Sequence, residues 1–131
     1  MSNITLRAAF STDAGKTAAI MSNYMEDTPW LLRTHTGAED IGFLGSMIDR
    51  GWVTVALYAE KIVGFVARDG ANIQALYIKK NARRLGCGAF LLTHAKAGTD
   101  KLSLWTFQAN TSALAFYSAQ GFFEAERTDG A

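Results

Sequence analysis

The chain has 131 residues, 49% apolar and 19% charged, enough for one domain that buries about two thirds of its extended-chain surface without disulfide staples. Thirteen basic residues against twelve acidic ones leave a formal charge of +1, which argues against a nucleic-acid or anionic-membrane surface. The single Cys87 excludes an internal disulfide framework and a cysteine-only zinc site, His35 and His94 lack metal-ligand spacing, and no apolar run reaches the ~18 residues of a membrane span. The alternating N-terminal segment, interrupted by Arg7, is unlike a signal peptide. A cytoplasmic protein with one domain over residues 1–131 is the expectation.

In chain order, Ile4 to Ala9 alternates as a first strand, with Ile4, Leu6 and Ala8 on one face. Asp13 to about Tyr24 reads as a helix on the recurrence of Ala18, Met21 and Met25, and Thr28-Pro29-Trp30 breaks it. Thr36 and Glu39 have the spacing of a capping box, opening a helix to about Arg50 with Ile41, Leu44 and Ile48 inward and Gly51 as its stop. Trp52 to Ala59 and Lys61 to Arg68 are β-branched runs around a polar turn at Glu60-Lys61, the pattern of a hairpin. Asn72 to Ile78 follows as a third strand of this meander. A basic stretch then leads through Gly86-Cys87-Gly88 into a helix over Ala89 to Lys96, closed at Gly98. Leu102 to Phe107 reads as a strand, Asn110-Thr111 starts a helix ending at Gly121, and Phe122 to Arg127 is a last strand. The order βααβββαβαβ predicts an α/β architecture: a mixed sheet, antiparallel at first and partly parallel later, with helices on both faces.

The stretch with the most chemistry runs from Leu76 to Gly88. A strand ends, a loop carries Lys79, Lys80, Arg83 and Arg84, and a glycine pair enters a helix. Glycines let backbone N–H groups converge on phosphate oxygens, and a helix start adds about half a positive charge. The bland alternative is a solvated loop with a glycine at a helix entry. The segment lacks the Gly-Lys-Ser/Thr of a P-loop and the third glycine and distal acid of a dinucleotide site.

Arg83-Arg84-Leu85-Gly86-Cys87-Gly88 fits the signature [RQ]-x-x-G-x-[GA], and Asn110 to Phe122 fits N-x-x-A-x-x-F-Y-x-x-x-G-F about thirty residues later. With the element order, these two motifs make the whole chain resemble the GNAT superfamily of N-acetyltransferases. The resemblance implies the GNAT acyl-CoA N-acyltransferase fold and acetyl-CoA as acyl donor. The pantetheine arm would lie between two splayed parallel strands, here Asn72–Ile78 and Leu102–Phe107. Main-chain groups of Leu76, Tyr77 and Ile78 would pair with the arm, one N–H polarising the thioester carbonyl. The amides of Arg84, Leu85, Gly86, Cys87, Gly88 and Ala89 would hold the pyrophosphate, with Arg83 and Arg84 supplying charge. Asn110 would hydrogen-bond the cofactor, or serve as an ordinary helix N-cap. Tyr117, two turns further along that helix, would protonate the departing thiolate; its bland alternative is a core tyrosine.

The same resemblance implies acetyl transfer to a primary amine by direct attack in a ternary complex, with a small-molecule amine as acceptor. Alternatives are a protein N-terminus or lysine, or a non-catalytic CoA-binding or interaction module. No residue pattern identifies the general base. Asp40 and His35 are candidates in a segment that walls the acceptor pocket in this family, whereas Glu39 reads as a cap, Glu60 as solvated and His94 as helix surface. Trp30, Leu31, Trp52, Phe107 and Gln108 are candidates for the acceptor side, with core as their default. Cys87 reads as a spectator. Family members carry one more strand after the position of Phe122–Arg127, so the final strand is expected to be missing here, and the exposed sheet edge suggests a homodimer.

Overall fold

The computed structural model describes residues 3–26, 37–80, 82, 86–99, 102–104 and 111–122. Four strands, β1 (Ile4–Ala8), β2 (Val53–Tyr58), β3 (Lys61–Asp69) and β4 (Asn72–Ile78), pair in the order β1-β2-β3-β4, every pair antiparallel. Helices α1 (Ala14–Glu26) and α2 (Gly37–Asp49) precede β2, and α3 (Cys87–Ala97) and α4 (Thr111–Ala119) follow β4. A single parallel bridge joins Asn72 to Ser103, with Ile73 N–H on Ser103 O and Ser103 N–H on Ala71 O, both at 2.8 Å. The four-stranded sheet is antiparallel, and the parallel pairing that the element order predicts is present among the described residues only at this bridge. Among the described residues no helix is long and apolar enough to cross a membrane. The predicted strand at Phe122–Arg127 lies, apart from Phe122, outside the described residues, as does the edge on which the dimer expectation rests.

Two cores sandwich the sheet. Ala18, Met21, Leu44, Met47 and Ile48 of α1 and α2 pack on Val55, Phe65 and Ala75. Cys87, Leu91 and Leu92 of α3, with Phe116 and Tyr117 of α4, pack on Ala56, Val63, Val66 and Ile73. Strand β3 is covered on both sides, so its run from Ile62 to Ala67 is buried at every position. Helix α2 buries Asp40, Leu44, Met47 and Ile48, and the expected inward position Ile41 is 46% exposed. The buried residues follow the 3.6 period from Asp40, which puts the polar Asp40 inside and rotates Ile41 out.

The β2–β3 turn is Ala59-Glu60, one residue earlier than the sequence suggests, with Tyr58 opposite Lys61. Both turn residues have positive φ, 51° and 66°, the geometry that matches the twist of a two-residue hairpin. Residue Asp13 anchors the other end of α1. Its carboxylate accepts Arg7 Nη1 and the Phe10 N–H, both at 2.7 Å, and the Arg7 guanidinium holds it below the ordinary carboxylate range.

Two bulges shape the part of the sheet that meets α3. In β3, Val63 is extra between the pairs Ala56–Gly64 and Leu57–Ile62, so Val63 and Gly64 both face α3. In β4, Gln74 is extra between Ala67–Ala75 and Arg68–Ile73. A Cβ on Gly64 would sit 2.6 Å from Ile78 Cδ1, 3.1 Å from Tyr77 O and 3.3 Å from Cys87 Sγ. The missing side chain at Gly64 thus lets the end of β4 and the start of α3 close on the sheet. Gly64→Ala should overpack this junction and cost about 1–3 kcal/mol, a fall of about 4–12 °C in Tm. Thermal unfolding followed by circular dichroism checks this; an unchanged Tm would mean that the contact relaxes freely.

Candidate functional site

Strand β4 pairs with β3 along one edge and touches Ser103 at the start of the other. Beyond that bridge, among the described residues, no strand lies against its outer edge. The Gln74 bulge, an extra residue relative to β3, falls just past the bridge and bends β4 there. A cleft of about 370 Å³ opens there, lined by Asn72, Ile73, Gln74, Ser103 and Leu104. The two strands expected to splay therefore begin parallel and adjacent; the second is described only from Leu102 to Leu104. Past the bulge, the outer edge of β4 is of the kind to which an extended arm adds as a strand.

The end of β4 leads to the α3 start. Lys79 N–H bonds Val63 O at 2.8 Å and Ala82 N–H bonds Lys79 O at 2.9 Å, which turns the chain toward Gly86. Gly86 is the N-cap, at φ 75°, ψ 15°, a left-handed conformation that few side chains adopt. The helix begins at Cys87, two residues before the expected start. Gly86 carries no capping side chain, and the first intrahelical bond is Phe90 N–H to Gly86 O at 3.0 Å. Helix geometry leaves the Cys87, Gly88 and Ala89 amides facing out of the helix start, where an anion is favoured. Nothing lies within 4 Å of a Cβ built on Gly86, whereas one on Gly88 would meet Phe116 Cζ at 3.1 Å. So Gly86 answers to backbone conformation and open space, and Gly88 to the packing of α4. Lys79 and Lys80 are exposed beside this loop; Arg83, Arg84 and Leu85 lie outside the described residues.

Tyr117 stands on α4, and the helix end seats it. Gly121 has φ 93°. Phe122 N–H bonds Tyr117 O and Gly121 N–H bonds Ser118 O, both at 3.0 Å, the paired closure that a left-handed glycine permits. It returns Phe122 onto the Tyr117 ring, centroids 5.7 Å apart, and Phe116 also packs on that ring at 5.3 Å. Burial, together with Tyr24 and Tyr77, pushes the Tyr117 hydroxyl up to about 12. Tyr77 packs with the α1–α2 core and Tyr117 with the α3–α4 core. On α1, the Tyr24 ring meets Tyr77 at 5.2 Å. In the sequence nothing marks Tyr24 beyond its place at the end of an apolar helix.

Other candidates separate from this edge. Cys87 is fully buried, and burial pushes its thiol up to about 11, so it stays protonated and unreactive at neutral pH. Glu60 is exposed in its turn, and His94 is exposed with Nε2 3.5 Å from Thr54 Oγ1. Trp52 packs on the α1–α2 core beneath the Arg50 guanidinium. Asp40 is 2% exposed and accepts Ser22 Oγ at 2.6 Å. Trp30, Leu31, His35, Phe107, Gln108 and Asn110 lie outside the described residues. Among the described residues no group of three or more His, Cys, Asp or Glu side chains could hold a metal.

Residues 49–124, more than half the chain, match the model of the acetyltransferase (GNAT) domain. The chain belongs to the GNAT family. It is 33% identical over 78 residues to the peptidyl-lysine N-acetyltransferase YjaB of Salmonella typhimurium, covering 60% of this chain and 53% of that protein. It is 35% identical over 63 residues to the peptidyl-lysine N-acetyltransferase YiaC of Escherichia coli, covering 47% and 43%. The chain spans about half the length of the curated relatives it matches. A GNAT-family acetyltransferase from Bacillus cereus superposes with a TM-score of 0.80 over 98% of this chain and 88% of its own, at 16% identity. The GNAT fold expected from the two motifs is the fold observed.

Acetyl-CoA fits this edge: an uncapped helix start suits a pyrophosphate and an open strand edge suits an amide-bearing arm. Gly86→Asn tests the cradle. Asparagine tolerates a left-handed backbone, and the space around Gly86 is open, so Tm should change little. The added side chain should raise the acetyl-CoA Kd about tenfold, or 1.4 kcal/mol. Calorimetric titration checks this, and undiminished affinity would remove the helix start from the binding site.

Proposed function

We propose that this GNAT protein is an acetyl-CoA-dependent N-acetyltransferase that acylates a primary amine by direct attack in a ternary complex. The observation that carries the reading is the packing of α4, which bears Tyr117, and of Ile78 at the end of β4 against the uncapped start of α3. Acetyl-CoA, when bound, supplies the activated thioester. The amides of Cys87, Gly88 and Ala89 hold its pyrophosphate, with Lys79 and Lys80 adding positive charge nearby. Leu76, Tyr77 and Ile78 align its arm through their main chain. Asn110, Arg83, Arg84 and Leu85 belong to the same proposed set through the two motifs.

Tyr117 holds the proton that a departing thiolate requires. The amine must arrive without its extra proton, because only the free lone pair can attack a carbonyl. The buried Cys87 thiol offers no competing nucleophile, which supports direct transfer over a covalent enzyme intermediate. A small-molecule amine is one acceptor class. A lysine side chain is the second, and the peptidyl-lysine activity in the names of YjaB and YiaC favours it.

Thermal unfolding with acetyl-CoA beside ADP is the first test of the reading. Ligand at a hundred times its Kd adds about 2.7 kcal/mol, roughly 10 °C for a domain of this size. A shift no larger than that with ADP would leave the arm without a groove. Free-thiol release with lysine peptides and small amines then reads turnover directly.

Tyr117→Phe should lower kcat on the order of 10²-fold while acetyl-CoA still binds. A general acid is lost as pH rises through its pKa. With that value at about 12, Tyr117 keeps its proton across the assayable range, so wild-type kcat should hold or rise from about pH 7 to about 9.5. Unchanged turnover in Tyr117→Phe, or a fall in kcat centred near pH 8, would remove Tyr117 as the acid.

A further inference from the structure

Lys96 lies on the last turn of α3, at the opposite end from the amides proposed to hold a pyrophosphate, and it is exposed. Its side chain nevertheless reaches the C-terminus of α4. The ammonium donates to Gln120 O and sits over the Phe122 ring, 5.2 Å from the centroid. A Cβ built on Gly121 would lie 3.8 Å from the same Nζ. One cation thus attends Gln120, Gly121 and Phe122, the three residues that close α4.

That closure bears directly on Tyr117. Phe122 N–H returns to Tyr117 O and Gly121 N–H to Ser118 O, both at 3.0 Å. In this arrangement the residue after the glycine packs on the residue whose carbonyl it bonds. Here those two are Phe122 and Tyr117, whose rings meet edge-on, centroids 5.7 Å apart and planes at 71°. The last carbonyls of a helix have no partner within it, and a lysine ammonium satisfies one while suiting the negative end of the helix dipole. Over Phe122 the same ammonium adds a cation–π contact. Tyr117 is therefore held, by main chain and by ring, in a turn that Lys96 fastens. Loosening that turn would misaim the hydroxyl, and misplacing a reacting group costs rate before it costs binding.

We infer that Lys96 is a positioning residue for Tyr117, acting through Phe122 and the closure of α4. Its effect requires a cation at this place. A neutral apolar chain of the same length can neither donate to the Gln120 carbonyl nor meet the Phe122 ring as a charge. The inference rests on the acetyltransferase reading for the role of Tyr117, and on the contacts linking Lys96, Gln120, Phe122 and Tyr117 for its place.

Lys96→Met keeps the length and the helix propensity of the side chain and removes its charge; at an exposed position the variant should fold. It should lower kcat about tenfold, less than removal of the Tyr117 hydroxyl itself, and leave the acetyl-CoA Kd unchanged. Lys96→Arg keeps a donor and a cation over the ring, and should hold kcat within about twofold of wild type. In a Tyr117→Phe background Lys96→Met should lower kcat no further, because a hydroxyl that is absent cannot be misaimed. NMR spectra of protein labelled at its tyrosine rings read the position without turnover. The Tyr117 ring resonance, identified by its absence in Tyr117→Phe, should move in Lys96→Met and stay in place in Lys96→Arg. An unmoved Tyr117 resonance or unchanged kcat in Lys96→Met, an equal loss of kcat in the Tyr117→Phe background, or equal losses in Lys96→Arg and Lys96→Met would overturn the assignment. A Tyr117 resonance that moves in Lys96→Met, in a protein whose wild type neither binds acetyl-CoA nor turns it over, would instead overturn the acetyltransferase reading and leave the hold of Lys96 on Tyr117 standing.

Discussion

A strand edge without a neighbour presents a row of amide and carbonyl groups that must find partners, and proteins ordinarily cover or blunt such edges. Here β4 touches Ser103 at its start, carries a bulge at Gln74 immediately afterwards, and among the described residues has no strand against its outer edge from there on. The bulge, an extra residue relative to β3, bends β4 and increases its twist just past the bridge. An acyl-CoA arm, with its own amide groups, is chemically a strand, so an edge of this kind can recognise it through the backbone. Specificity then has to come from side chains that reach the edge from above and below the sheet.

Those side chains depend on how closely the helices approach. Gly64, doubled onto the α3 face by the β3 bulge, leaves room for Ile78 and Cys87. Cys87 is consequently sealed, and its thiol is a packing group. Gly88 admits Phe116, which brings α4 against the start of α3. Lys96 bonds Gln120 O from the other end of α3 and lies over the Phe122 ring, so both ends of α3 hold the C-terminal half of α4. The outcome of these contacts is one position, that of Tyr117.

Much of this organisation is legible in the sequence. Asn72–Ile78 is a strand with the boundaries its pattern suggests, Gly121 ends α4, and two glycine motifs at the right separation identify the family. The departures have local causes. Ile41 looks like a core residue on α2 by apolar spacing, yet a buried Asp40 sets the inward face, and no periodicity rule anticipates an acid there. The Ala59-Glu60 turn lacks the Asn-Gly or Asp-Gly pair that marks such hairpins, so its position shifts by one. Both bulges escape sequence reading because register is a property of two strands together. Tyr24 escapes it for the same reason: only the fold brings the end of α1 to the edge of β4.

The two glycines of the first motif show why a phosphate signature needs a structure beside it. A side chain at Gly88 would collide with Phe116 whether or not phosphate binds, so its presence speaks first for packing. Gly86 differs, because the space around it is open and only its φ of 75° calls for glycine. That conformation turns the chain into α3 while leaving the helix start without a capping side chain. In most helices Ser, Thr, Asp or Asn takes this place and satisfies the first amides. In the proposed reading those amides are left to an external anion, at a cost to the stability of the free protein. In the proposed reading the burial that raises Tyr117 follows the same logic: the packing that disfavours its phenolate also keeps a proton available for a departing thiolate.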